Sequence, residues 1–560
     1  MSKKVIIVGG GVAGMSAAHE LINRGFSVEV YEARGIPGGK ARSVSVPNSG
    51  VGGRKDLPGE HGFRFFPRFY RNLPQTMKET PIGDDRRNAY DNLVQASREL
   101  IARADQPNVL TVARFPRNLA DFKVLLEDVF APIGLTSEEE HFAAERLWQI
   151  ATSCSERKAN DYERLSWWEY VEADRFSDNY RALFAVGFTR TLVAARARSA
   201  STAVGGSILL ELIYGAATPG PSTDRLLNGP TNDVWIDPWL AYLRAQGVDY
   251  RLNSPVTHIE CVDGLIQHIN VDTPDGPLTI EGDFYLCAVP IEVMAKFLEK
   301  SEILKYDQSL ETLLELSDDV AWMNGMQLYL NKEIDLDYGH TMYVDSPWAV
   351  TSISQAQFWP DFDLSEYGDG NVKGIISIDI SNWDAKGVLE HPPHGKRKSA
   401  KECTKEEIKN EIVAQMAMSL NKKGQEPVFL EEYVETWYLD SDIEPVDLFS
   451  NKDRYKDAEP LLVNKINTWH LRPETHTHIP NLFLAADYVK TDVSLATMEG
   501  ANEAARRAVN SIIDRAGVKA PYCTVYPLEE PWVLALHRYA DKKRYQRGLP
   551  WNGKLGIFGR

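Results

Sequence analysis

Apolar and polar positions change spacing sharply over the first thirty residues. Val5-Ile6-Ile7-Val8 is an unbroken apolar run, the pattern of a short buried parallel strand. Glycines follow it. Ala17, Ala18 and Leu21 then fall at helical spacing, and Gly25 predicts the stop. Val28-Glu29-Val30-Tyr31 predicts a second strand that closes at Glu32. Near the far end, Leu482-Phe483-Leu484-Ala485-Ala486 reads as a buried strand ending in the acid Asp487. Residues 496–501 read as a turn into a helix, in which Ala501, Ala504, Ala505 and Ala508 form a small-residue face. Between these ends, Ser166-Trp167-Trp168-Glu169 is a capping box opening a helix. The stretch from Tyr180 to Arg198 has helical spacing, and Gly325 to Leu330 alternates as a strand. Residues 386–406, with Pro392-Pro393 and many lysines, read as a mobile loop. No internal repeat is present.

The chain has 560 residues, enough for two or three domains, and its 43% hydrophobic and 25% charged residues are ordinary for a globular protein. The net charge of −17 argues against nucleic acid as a partner. No run of 18 apolar residues suggests a membrane span. The short apolar start enters the glycine turn and is expected to be a strand, not a signal peptide. Cys154, Cys261, Cys287, Cys403 and Cys523 are scattered and odd in number, as expected for reduced thiols in a cytoplasmic protein. No metal-ligand spacing occurs. His476 and His478 lie in a loop expected to be solvated, so no metal is expected.

Gly9, Gly11 and Gly14 form G-x-G-x-x-G between the first strand and its helix. The first glycine suits the tight turn, the second a close approach by a pyrophosphate, and the third close helix–strand packing. Phosphate would sit on the open N–H groups at Val12 and Ala13. Glu32, followed by Ala33, is placed to accept hydrogen bonds from an adenosine ribose. The second glycine pair, Gly38-Gly39-Lys40-Ala41-Arg42, suits a cofactor whose pyrophosphate is gripped by a further loop. Asp487 could hold a ribityl chain. The helix starting near Met498 could stabilise negative charge on a reduced flavin.

Together these segments resemble the flavin-containing amine oxidase and phytoene desaturase superfamily over nearly the whole chain. Gly59-Glu60-His61-Gly62-Phe63 resembles the His-Gly loop of carotene desaturases. Ser254-Pro255-Val256-Thr257 resembles the strand whose valine touches adenine through its backbone. Residues 284–290 resemble the strand returning beside the cofactor. Asp487 and Thr497-Met498-Glu499-Gly500-Ala501 resemble the closing motif. The resemblance implies FAD as cofactor and an α/β fold. A discontinuous Rossmann-type FAD-binding domain would draw on residues 1–80, 230–300 and 475–515. A mixed helix-and-sheet substrate domain would take 81–229 and 301–474, and 516–560 would form a basic, aromatic tail.

A flavin that accepts hydride needs a dry pocket holding a C–H bond against it. Amine oxidases of this superfamily carry a lysine on a substrate-domain strand. The equivalent here falls near Asn324-Gly325-Met326, and no lysine lies between Lys305 and Lys332. The expected activity is therefore desaturase-like hydride removal from a lipophilic isoprenoid, polyene or fatty-acid-like substrate, or redox-neutral isomerisation in the same pocket. Quinone or O2 would be the electron acceptor. Glu60, His61 or a water could take the proton, or the two residues could simply shape the loop. Arg64 or Arg68 could clamp a carboxylate or phosphate head group, or pair with surplus acids or FAD phosphate. The competing classes are an amine or amino-acid oxidase and a nonenzymatic flavoprotein or escort-like protein; the intact closing motif argues against the last.

Residues 538–560 carry seven basic residues against the single acid Asp541, interleaved with aromatics. This suits weak peripheral contact with anionic lipid or packing on an acidic FAD domain.

Overall fold

Val5, Ile6 and Ile7 are fully buried because they fill the middle strand of a five-stranded parallel sheet. The computed structural model describes residues 2–83, 86–96, 100–104, 109–110, 134–187, 195–217, 224–334, 336–392, 395–447, 453–528 and 530–555. The sheet is built from β1 (Lys4–Val8), β2 (Ser27–Tyr31), β3 (Asp249–Arg251), β4 (Phe284–Cys287) and β5 (Leu482–Leu484). Their spatial order is β3-β2-β1-β4-β5, all parallel. The central strands β1, β4 and β5 are covered on both faces, so they read as nearly continuous apolar runs.

On one face lie α1 (Val12–Ile22) and α2 (Met498–Ala516). Ala17 and Ala18 of α1 share a buried cluster with Ala505 and Ala508 of α2, and Asn502 Nδ2 donates to Ser16 Oγ at 2.8 Å. Small side chains let the two helices approach closely enough for that bond. The other face carries the three-stranded sheet Val256–Val262, Leu265–Thr273, Gly276–Ile280 and the helix Ile291–Lys300, sharing a core with Ile6, Val8 and Tyr285. The Rossmann-type unit is thus assembled from pieces far apart in sequence.

A second sheet has seven strands, including Leu100–Ala102, His340–Tyr343, Val350–Ser354, Gly374–Ile380 and Asn324–Leu330. All its pairings are antiparallel except that of Leu100–Ala102 with His340–Tyr343. One face packs on the helix Lys405–Leu420 through Ile376, Ile378, Ile380, Ile408, Ile412 and Met416. A period of two therefore turns Ser377 and Asp379 to the opposite face.

A helical module completes the chain, with Ser137–Thr152, Trp167–Tyr170 and Thr202–Ala217. The capping box at Ser166 and Glu169 forms, but its helix is one turn long. The helical spacing read from Tyr180 to Arg198 is present through Gly187; residues 188–194 lie outside the described residues. The stretch read as a loop at 386–406 holds the bridges Lys386–Ser399 and His391–Lys396, a helical turn Ala400–Glu402 and the buried Cys403.

The tail divides. Residues 517–528 run beside α2, where Cys523 N donates to Asn510 Oδ1 and Tyr526 N to Asn72 Oδ1. The helix Ala535–Tyr545 instead packs on the helical module. Leu534 is fully buried beside Trp148, and Asp541 pairs with Arg157 at 3.0 Å inside it. Packing of this part on the acidic FAD domain is not what the structure shows.

Candidate active site

A cavity of about 660 Å³ lies between the two sheets and is closed on one side by the helix Thr202–Ala217. The turn after β1 forms one end. Gly9 has φ +101°, and a Cβ there would lie 2.5 Å from Ala288 O. A Cβ on Gly14 would lie 2.0 Å from Gly9 O, so α1 rests directly on the turn. Gly11 differs. Its φ of −75° suits any residue, and a Cβ there would meet nothing nearer than Gly39 Cα at 3.6 Å. The protein's own atoms do not require glycine at 11. No side chain caps α1 at Gly11, so the first-turn N–H groups remain available to an anion.

Gly9, Gly11, Val12 and Ala13 line this end, with Glu32 and Ala33 beside them. Glu32 accepts N–H bonds from Gly10 and Arg34 at 2.7 and 2.8 Å, so its carboxylate also ties the turn together. Gly38, Gly39 and Lys40 form the facing wall, and Val256, Asp487, Met498 and Ala501 complete it. Thr497 Oγ1 caps α2 by accepting the Gly500 N–H at 3.0 Å. Glu499 points away and accepts the N–H groups of Arg71, Asn72 and Leu73. The residues present fit a dinucleotide: glycine backbone against open space, two helix N-termini, and acids placed at strand ends.

Four expected contacts fall elsewhere. Arg42 is 2% exposed and lies behind the cavity, bonded to Asp442, Glu459 and Gly39 O. Guanidinium next to two buried carboxylates is already committed to them. Gly59 lies in the strand Pro58–Glu60, where a Cβ would be 2.9 Å from the Tyr438 ring; it serves packing. Glu60 is buried with its carboxylate on Thr231 N and Oγ1, at 3.0–3.1 Å, and does not line the cavity. Arg68 is also outside the lining, and its backbone N–H is held by Asp224.

His61, Gly62, Phe63 and Arg64 do line the cavity. His61 Nδ1 forms an ion pair 2.7 Å from Asp440 Oδ2 and 3.3 Å from Asp442 Oδ2. Burial by itself would lower the imidazole pKa, but the two carboxylates outweigh it and raise it to about 9. His61 is thus held protonated and is not a ready base. His61, Asp440 and Asp442 stand close enough to hold a metal ion. Their charges are already largely balanced, by the imidazolium on both carboxylates and by Arg42 and Arg34 on Asp442.

A carboxylate of the second sheet, Asp379, also lines the cavity. It accepts the Phe63 N–H, and its Oδ1 has no hydrogen-bond partner among the described residues. Burial raises its pKa to about 7, against the lowering effect of Arg64 and His61. The sequence carried a signal for it: an acid at an inward position of Ile375-Ile376-Ser377-Ile378-Asp379-Ile380 is costly unless used. Arg64 lies beside it, and Arg64 Nε and Nη2 likewise have no partner among the described residues. His340 lies between the rings of Phe63 and Phe65, and burial lowers its pKa to about 4, so it is neutral. Apolar wall is supplied by Phe69, Ile208, Leu209, Leu212, Ile213 and Met342, while Arg34, Glu292 and Glu459 are charged members of the lining. Lys40, in the glycine turn, is the one lysine among the described lining residues.

The sequence profile of the family described as Flavin containing amine oxidoreductase matches residues 12–314. The chain is 24% identical over 554 residues to the protein named "Probable zeta-carotene desaturase" of Synechococcus elongatus, covering 92% of this chain and 100% of that one. Over 83 residues it is 40% identical to carotenoid phi-ring synthase of Chlorobaculum tepidum, a match spanning only 12% of that protein and 15% of this chain. In structure it resembles putrescine oxidase, with a TM-score of 0.59 at 16% identity, covering 92% of this chain and 99% of that one. An oxidoreductase of Methanosarcina mazei gives 0.53 at 13% identity, covering 91% and 100%. At such identities the likeness is one of fold.

Proposed function

The chain belongs to the flavin-containing amine oxidoreductase family, and on that premise we propose that it is an FAD-dependent oxidoreductase acting on a lipophilic, unsaturated substrate. FAD, when bound, supplies the acceptor for a hydride. The turn at Gly9 and Gly11 would take its pyrophosphate, Glu32 its ribose, and Asp487 its ribityl chain. Phe63, Phe65, Leu212 and Met342 exclude water and hold an isoprenoid, polyene or fatty-acid-like chain. Loss of hydride from an allylic carbon leaves a delocalised cation, and Asp379 accepts the proton from the neighbouring carbon. Two electrons and one proton leave with the hydride, one further proton goes to the carboxylate, and a double bond forms. Return of the hydride instead would give isomerisation. A quinone or O2 would take the electrons in the net oxidation.

The observation that carries this reading is a largely apolar cavity in which Asp379, with its Oδ1 unpartnered among the described residues, stands opposite a glycine-rich dinucleotide cradle. Amine or amino-acid oxidation is the alternative, favoured by Asp379 and Arg64 standing together, which could hold an ammonium and a carboxylate. Anaerobic mixing of the yellow holoprotein with polyenes, unsaturated fatty acids, amines and amino acids separates the two. Bleaching by the alkenes alone is expected; rapid bleaching by an amine would overturn the proposal.

A further inference from the structure

Trp532, Leu536 and Tyr539 are spaced four and three residues apart along a helical turn that continues into Ala535–Tyr545. That spacing puts them on one face. They are 84%, 64% and 60% exposed, an unusual state for three large apolar side chains on one surface. The opposite face of the helix is firmly held. Asp541 is 4% exposed and receives Cys154 N and the Arg157 guanidinium at 2.9–3.1 Å. Leu534 is fully buried, and the His537 ring meets Trp148 at 5.1 Å. The exposed face is therefore presented by a fixed helix.

Its surroundings are basic on an otherwise acidic chain. Lys543 Nζ stands 5.4 Å over the Tyr539 ring, on the same face. Arg544 and Arg547 follow. Among the described acids of this stretch, Asp541 is spent on Arg157, and Glu530 on Arg538 and Lys158. The helix also sits on the module that walls the cavity: Leu534 shares a cluster with Leu209, which lines it.

We propose that this face is a docking surface for an anionic lipid bilayer, placed so that a lipophilic substrate reaches the cavity from the membrane. Trp532, Leu536 and Tyr539 enter the interfacial layer, and Lys543 and Arg547 meet the headgroups. Among the described residues no helix is long and apolar enough to cross a bilayer.

The test uses full-length holoprotein and vesicles of phosphatidylglycerol with phosphatidylcholine, or of phosphatidylcholine alone, floated at low and high salt. Binding to the anionic vesicles is expected, weakened by salt. The triple variant Trp532→Ser, Leu536→Ser, Tyr539→Ser should lose at least about tenfold in partitioning, with an unchanged flavin spectrum and melting temperature. The pair Lys543→Glu, Arg547→Glu should lose the preference for anionic lipid, and it keeps the test decisive should the triple variant fail to fold. Equal flotation of wild type and the folded variants, or flotation of none, would overturn the proposal. So would a wild-type dimer in light scattering that the triple variant converts to monomer, because the face would then join two copies of the chain.

Discussion

The imidazole Nδ1 of His61 lies 2.7 Å from Oδ2 of Asp440, and Asp442 stands within 3.3 Å of the same nitrogen. Two carboxylates on one ring nitrogen hold a proton there, so the loop that borders the cavity is fastened by an imidazolium. The folded-state pKa of about 9 exceeds the unfolded value near 6.5. The resulting stabilisation is complete below pH 6.5 and is lost as pH rises through 9. The wild-type melting temperature should therefore fall between pH 7 and 9 by about 2 °C (roughly 1 °C per kcal/mol for a chain this long). In His61→Gln that slope should flatten. Thermal melts across this range decide it; an unchanged slope in the variant would show that His61 is not the titrating group.

Asp379 must be ionised to accept a proton. With its pKa near 7, turnover should rise through about pH 7 and level off above it. Asp379→Asn should lower kcat by roughly 10²–10⁴ and erase the acid limb, while the flavin spectrum stays intact. A variant with wild-type kcat at pH 8 would remove the carboxylate from the mechanism.

Gly11→Ala and Gly14→Ala should fail in different ways. A Cβ at 11 has room in the protein, so that variant should fold with an unchanged apo melting temperature and lose at least about tenfold in FAD affinity. A Cβ at 14 would overlap Gly9 O, so that variant should fold poorly with or without FAD. Flavin titration of the refolded apoproteins distinguishes them, and full affinity in Gly11→Ala would displace the pyrophosphate from this turn.

If Arg64 receives an anionic head group, Arg64→Met should raise KM for an unsaturated acid at least about tenfold and leave its methyl ester nearly unaffected. Arg68→Met, outside the cavity lining, should alter neither. Identical acid and ester kinetics in wild type and both variants would confine Arg64 to balancing Glu60 and Asp379.

The cofactor half of the fold was legible in the chain because its signals are local. A buried parallel strand must be continuously apolar, a strand-to-helix turn over phosphate must be glycine, and α2 needs small residues to lie on α1. Each of these is written within a few consecutive positions, from Val5 to Gly14 and from Leu482 to Ala508. The substrate half was decided by what distant segments bring together. Arg42 reads as a phosphate ligand until Asp442 and Glu459, some four hundred residues away, take its guanidinium. Glu60 and His61 read as bases until Thr231 turns one aside and the charge of Asp440 keeps the other protonated. Asp379 was visible only as an acid in a run of isoleucines; it became a candidate when the alternation of its strand, with one face claimed by Ile408 and Ile412, turned it into the cavity. Charge and burial act through space, so the pKa and role of each such group belong to the tertiary structure. Strand, turn and helix patterning act along the chain, and the sequence alone determined them.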